Sequence, residues 1–280
     1  MTIRYASMFA GIGGMELGIE QAAAEHGLKA ECVWYSENDK HAIKTYERHF
    51  NHDNYGDATL IEADSLPEFY LLAAGFPCPS FSVAGKRLGF NEARGTLFFD
   101  VARILDAKQP RYFILENVKG LVSHDNGQTL RTILRILDGL GYDVQWKVLN
   151  SKDYGVPQNR ERIYIVGNLG GTPRPEVFSP TGPSNPYSTV GVSAEAAVAR
   201  TLTGGGHSGG NHSGMTILRT PQGDRRLTPT ECERLQGFPD GWTAGVSDTQ
   251  RYKQCGNAVT VNVVRYVAGR IFASIHQETP

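Results

Sequence analysis

Across the first 168 residues, short apolar runs alternate with stretches of helical periodicity, and this rhythm constrains the fold more than any other feature of the chain. Buried strands separated by helical segments specify βαβ crossovers on a parallel sheet. The candidate strands are Tyr5–Phe9, Cys32–Ser36, Leu71–Ala74, Tyr112–Leu115, Asp143–Leu149 and Ile163–Val166. Leu97, Val101, Ile104 and Leu105 mark one helical stripe, and Leu130, Ile133, Leu134 and Leu137 another. From Leu169 to Asp224 periodicity fades into Gly, Pro, Ser and Thr, and His-Ser-Gly occurs twice within Gly204–Gly214. Order returns at Thr228-Pro229-Thr230-Glu231, which has capping-box spacing with proline in the first turn. A last helical pattern runs from Asn257 to Ile275. The expected architecture is α/β. Residues 1–168 and 251–280 form a mostly parallel-sheet domain, and 169–250 form a small loop-rich lobe.

A chain of 280 residues with 40% apolar content can bury a substantial core. No apolar run approaches the roughly 20 residues that span a bilayer, and the N-terminus opens into a strand pattern, so neither membrane nor signal peptide is expected. Cys32, Cys78, Cys232 and Cys255 show no CxxC spacing and read as free thiols in the reducing cytoplasm. The net charge of −1 decides nothing about partners, but its distribution is uneven. No lysine lies between Lys152 and Lys253, whereas Arg160, Arg162, Arg174, Arg200, Arg219, Arg225 and Arg226 do. Arginine forks suit phosphates and base edges.

Several motifs fall at expected strand ends. Phe9-Ala10-Gly11-Ile12-Gly13-Gly14 follows the first strand and opens a helix, a turn that admits a ligand close to the backbone or simply a tight connection. Glu16 stands where a dinucleotide fingerprint needs its third glycine, which disfavours a pyrophosphate and suits a nucleoside. Glu37 ends the second strand, where an acid binds ribose hydroxyls, and Asp57 lies where a third strand would end, placed to accept from an adenine amino group. Either acid also reads as a capping residue. Phe76-Pro77-Cys78-Pro79 follows Leu71–Gly75, so two prolines hold a thiol stiffly at the sheet edge. Glu116, after the next strand, is a candidate acid or a turn residue. Alternation places Arg160 and Arg162 on one face, suited to a substrate carbonyl and a phosphate, or to solvent. His207 and His212 fit no zinc spacing, and no metal is expected.

Together these blocks, with Phe81–Arg87, Arg94–Asp100 and Gly256-Asn257-Ala258-Val259, resemble DNA (cytosine-5) methyltransferases, notably the small bacterial restriction-modification type. The resemblance covers nearly the whole chain outside Leu169–Asp224. It implies a Rossmann-like domain binding S-adenosylmethionine through Phe9, Gly11, Ile12, Gly14, Glu37, Asn38, Asp57, Ala58, Pro77, Asn257 and Ala258. It implies that Cys78 adds to C6 of a flipped cytosine, with Glu116 at N3, Arg162 at O2 and Arg160 in support. Double-stranded DNA is the implied partner, contacted by Ser80, Lys86 and Arg87 and read by Arg200 or Arg219. A monomer is expected, with any cognate restriction endonuclease acting separately. Pro79 replaces the glutamine usual after Pro-Cys, Tyr70 replaces a frequent aspartate, and the recognition stretch is short. An RNA-directed relative and a non-catalytic binding module are the alternatives. The first lacks its Cys-Phe-Thr signature here, and the intact Cys78, Glu116, Arg162 and Asn257 oppose the second. Transfer of a carboxylated group would favour a cation where neutral Asn257 stands.

Overall fold

The six apolar runs pair into one sheet in a computed structural model that describes residues 1–77, 97–171, 174–178, 198–204, 216–221 and 223–275. Cys78, Pro79, Ser80, Lys86, Arg87, His207, His212 and the side chain of Arg219 lie outside the described residues. The strands are β1 (Thr2–Met8), β2 (Lys29–Ser36), β3 (Leu71–Gly75), β4 (Tyr112–Val118), β5 (Tyr142–Asn150) and β7 (Glu161–Leu169). Their order is β2-β1-β3-β4-β7-β5. Pairings β1–β2, β1–β3 and β3–β4 are parallel, whereas β7 runs antiparallel to both β4 and β5. Five strands therefore share a direction and β7 alone opposes them.

Period-two alternation sends neighbouring side chains to opposite layers. Ile3, Tyr5, Leu71, Ala73, Tyr112, Ile114, Tyr164 and Val166 pack with helices α1 (Gly14–Glu25) and α7 (Val261–Ile275). Ala6, Met8, Leu72, Ala74, Phe113, Leu115, Ile163 and Ile165 pack with α3 (Leu97–Lys108) and α4 (Gln128–Gly139). The inner strands β3, β4 and β7 are buried on both faces, which is why they read as apolar runs, whereas the edge strand β5 is mostly half-buried or exposed. On α1, Gly18 lets α7 approach closely: a Cβ there would sit 2.7 Å from Val264 Cβ.

Two expected boundaries move. No third strand precedes Asp57; the segment after α2 (Lys40–Tyr46) makes only an isolated bridge between Tyr35 and Asn54. The helix expected over Asn257–Ile275 begins only at Val261, as α7, and a helix that was not expected, α6 (Asp248–Asn257), precedes it; Ala258 between them is extended, with ψ of 152°. By length and composition Asp248–Ile275 is apolar enough to cross a membrane, yet Val263, Val264, Val267, Ile271 and Phe272 are buried core residues of α7.

A separate apolar cluster gathers Ala199, Leu202, Leu227, Cys232, Leu235 and Cys255, with Leu218 and Tyr252 against it. Near it in sequence are the short parallel pair β6 (Gln158–Asn159) and β8 (Ala199–Arg200) and the antiparallel pair β9 (Ile217–Thr220) and β10 (Gly223–Arg226). Helix α5 (Pro229–Leu235) begins with both hydrogen bonds of a capping box between Thr228 and Glu231. Just beyond it, Phe238 and Trp242 pack on Ile12 and Ala42. Cys32, Cys232 and Cys255 are free and buried.

Candidate active site

A cavity of about 660 Å³ opens at the C-terminal edge of the sheet, where the strand order turns from β1 outward to β2 and β3. Its size suits one small organic ligand. Phe9, Gly11, Ile12, Glu37, Asn38, Asp57, Ala58, Pro77, Glu116, Arg160, Arg162, Asn257 and Ala258 all line it. Gly14 does not. A Cβ on Gly14 would lie 2.8 Å from Val259 Cγ2 and 3.2 Å from Phe238, so this glycine serves the close packing of α1's first turn.

One end of the cavity is acidic and finely held. Phe9 takes a left-handed conformation, φ 56°, that is costly for a bulky residue and turns the chain off β1. The Glu37 carboxylate accepts N–H groups from Gly11 at 2.8 Å, Asn38 at 2.9 Å and Asp39 at 2.8 Å, joining the two strand ends. Asp57 accepts the Thr59 N–H and hydroxyl, which hold its carboxyl below the ordinary range, and the Asn38 amide at 3.2 Å. The strand expected before Asp57 is replaced by side-chain ties: Ser36 Oγ donates to the Gly56 carbonyl at 2.7 Å, and Asn54 Oδ1 accepts the Gly56 N–H at 2.9 Å.

The opposite wall is anchored by Arg160, which is 2% exposed. Its guanidinium donates to the carbonyls of Leu202 at 2.8 Å, Gly256 at 3.2 Å and Ala258 at 2.7 Å. Arg160 precedes β7 rather than belonging to it, so strand alternation does not govern its side chain. Alternation places it beside Arg162, toward a substrate or solvent; it is buried instead, and its donors bind the backbone on either side of Asn257, in keeping with the supporting place the resemblance implies. Gln236, buried beneath, donates to the Cys255 and Ala258 carbonyls, and Gln158 ties Leu235 to Leu202.

Arg162 behaves differently. It stands opposite Val118, two residues beyond Glu116 on β4 and on the same face, and its Nε lies 3.1 Å from Glu116 Oε1. Burial raises the Glu116 pKa, and the Arg162 and Arg160 charges oppose that rise. A carboxyl so placed holds a proton more readily than one in water and can share it with a ring nitrogen. Neighbouring Asn117 donates at 2.9 Å to the Phe76 carbonyl, fixing the chain directly ahead of Pro77 and Cys78.

Sequence reasoning gave Asn117 no role of its own and missed Lys253 and Trp242. Lys253 Nζ sits 2.7 Å from Asp39 Oδ2, and this bond leads the effects that lower the Asp39 pKa. Trp242 stacks on His49 with ring centroids 3.6 Å apart, and its indole donates to the Ile12 carbonyl at 2.8 Å. Only partners at least 193 residues away give either residue its meaning. Arg200 is exposed on β8, its N–H donating to Thr216 Oγ1. Among the described residues no group of three or more His, Cys, Asp and Glu is arranged to hold a metal ion.

The cavity's size and its acids fit a nucleoside that carries no phosphates. Glu37, Asp39 and Asp57 repel phosphates and suit hydroxyl and amino groups, while Lys253 is neutralised by Asp39.

Comparison with known proteins agrees. The family model described as C-5 cytosine-specific DNA methylase matches residues 3–189 and 182–273. Type II methyltransferase M.DsaV of Dactylococcopsis salina is 37% identical over 310 residues, covering 98% of this chain and 87% of its own. M.NlaX of Neisseria lactamica is 39% identical, with 96% of each chain covered. The fold matches the crystal structure of the S. pombe Dnmt2 methyltransferase with TM-score 0.74 at 18% identity over 99% of both chains. A putative DNA modification methyltransferase encoded within an E. coli prophage matches with TM-score 0.71 at 20% identity, over 98% of this chain and 99% of that one. The chain belongs to the family of C-5 cytosine-specific DNA methylases.

Proposed function

We propose that this methyltransferase acts on C5 of a cytosine flipped out of duplex DNA, through a covalent bond between Cys78 and C6. The observation that carries the reading is the Glu116–Arg162 pair in the same cavity as Pro77, one residue before the thiol, and as the nucleoside-binding acids. S-adenosylmethionine, bound there, supplies an electrophilic methyl group on its sulfonium.

In this account Phe9 lies against the adenine, Glu37 and Asn38 bind the ribose side, and Asp57 with Ala58 meets the adenine amino group. Gly11, Ile12, Asn257 and Ala258 border the methionine end. Flipping is required because stacking shields the reacting carbons. The Cys78 thiolate adds to C6 as Glu116 gives a proton to N3, which breaks the ring's aromaticity and makes C5 an enamine carbon. Arg162 holds O2. Once C5 carries the methyl group, a base removes the C5 proton, the electron pair expels Cys78, and N3 returns its proton to Glu116.

Duplex DNA is read by the 169–250 lobe, with Arg200 and Arg219 as candidate readers, while Ser80, Lys86 and Arg87 are further candidate contacts. The enzyme works as a monomer on cytoplasmic DNA, and any cognate endonuclease is a separate protein. The test is incubation of the purified protein with methyl-labelled S-adenosylmethionine and duplex DNA, single strands or tRNA in parallel. Label as 5-methylcytosine in duplex DNA is expected; label confined to tRNA, or none, contradicts the reading.

A further inference from the structure

The β9–β10 ribbon has two chemically different faces. In its antiparallel register Arg225 stands opposite Leu218, Arg226 opposite Ile217, and Asp224 opposite Arg219. Opposed residues share a face, and successive residues alternate. One face is committed to the protein. Leu218 packs on the apolar cluster that includes Leu202 and Cys232, and Arg225 pairs fork-to-fork with Glu231, each nitrogen 2.8 Å from an oxygen. Glu231 is also the acid of the α5 capping box, so the ribbon is fastened to a helix terminus. Tyr252 of α6 packs on the same cluster and donates to the Leu227 carbonyl, one residue past the ribbon, at 2.7 Å. Because α6 ends in Asn257 at the cavity, the ribbon is held in register with the site.

The other face is open. Ile217 is 52% exposed. Asp224 and Arg226 are exposed, and neither side chain has an ion-pair partner among the described residues. A surface made only for phosphates would exclude a carboxylate, which phosphate charge repels. A guanidinium fork, a carboxylate acceptor and a branched apolar group side by side match instead the chemistry of base edges: guanine O6 and N7, the cytosine amino group, and the thymine methyl. A two-stranded ribbon is also narrow enough to enter the major groove.

We propose that this face reads base pairs in the major groove, with Arg226 bidentate to a guanine, Asp224 accepting from a cytosine amino group and Ile217 against an apolar base edge. The proposal rests on duplex DNA being the substrate. Sequence alone singles out Arg200 and Arg219; Arg226 emerges from the strand register, which spends its neighbour Arg225 on Glu231. The test presents wild type, R226A and D224A with duplexes randomised around the target cytosine and reads methylation by bisulfite sequencing. R226A should lose discrimination at one G·C pair by about 10–100-fold and D224A at a nearby pair, with melting temperature, cofactor KM and salt dependence as in wild type. An unchanged recognition profile in both variants overturns the proposal. So does uniform weakening with the salt slope reduced by about one, the mark of a phosphate contact. A wild type that methylates no duplex DNA would sink the substrate reading, and the ribbon's role with it.

Discussion

Replacing Arg160 by methionine keeps most of the buried stem and removes three charged hydrogen bonds at once. The Ala258 carbonyl retains Gln236 as a donor, whereas the Leu202 and Gly256 carbonyls lose their guanidinium partner. Bonds to charged groups contribute about 1.5–3 kcal/mol each, and a buried acceptor stripped of its donor costs a similar amount. Burial and the Arg162 charge lower the Arg160 pKa to about 10, so the lost group is a cation at neutral pH. The expected destabilisation is therefore about 3–5 kcal/mol, or about 5–9 °C in melting temperature for a chain of this size. Because two of the three carbonyls that Arg160 binds, Gly256 and Ala258, flank Asn257, Kd for S-adenosylhomocysteine, measured by titration calorimetry, should rise at least about tenfold. R160K should fall between, since an ammonium supplies charge without the planar fork. A melting temperature within about 2 °C of wild type, together with unchanged product affinity, would refute this account of the wall.

Three further outcomes follow from the same geometry. Glu16, fully buried and accepting the Tyr46 hydroxyl at 3.2 Å, has its pKa raised by burial to about 7. The folded state thus binds the extra proton, and stability declines as pH rises from about 4.5 to about 7, by about 3 kcal/mol. E16Q should lose that slope in denaturant titrations; an unaltered slope would count against it. Lys253 ties α6 to the N-terminus of α2, beside the N–H groups that hold Glu37, so K253M should raise KM for S-adenosylmethionine about three- to tenfold with kcat little changed, and K253R should restore it. Equal effects in both variants would refute that positioning role. Trp242→Phe keeps an aromatic ring against His49 but removes the bond to the Ile12 carbonyl, and should weaken cofactor binding by about 1 kcal/mol, checked by calorimetry.

Much of this was legible because the inner strands of the sheet are buried on both faces. Six apolar runs gave six strands, and the capping box at Thr228 began a helix where its spacing said it would. Residues at strand ends, among them Phe9, Glu37 and Glu116, converge because parallel strands bring their C-terminal ends to one edge. What escaped was set by distant partners. The break at Ala258 has no local signal: its carbonyl is claimed by Arg160, 98 positions away in sequence. Arg160 and Arg162 look alike in the chain, yet one lies ahead of β7 and binds backbone while the other lies within it and meets Glu116. The antiparallel insertion of β7 between β4 and β5 is likewise topological, since apolar runs carry no direction.

The central chemical claim is tested most directly with duplex DNA carrying 5-fluorocytosine at the methylated position. Fluorine cannot leave as a proton does, so elimination stalls after methyl transfer and protein stays bonded to DNA. Wild type should give a denaturation-resistant adduct in the presence of S-adenosylmethionine, with mass spectrometry locating the bond on Cys78, and a Cys78→Ser variant should give none. An adduct that survives the substitution, or its absence from a wild type that methylates ordinary DNA, would contradict the covalent mechanism.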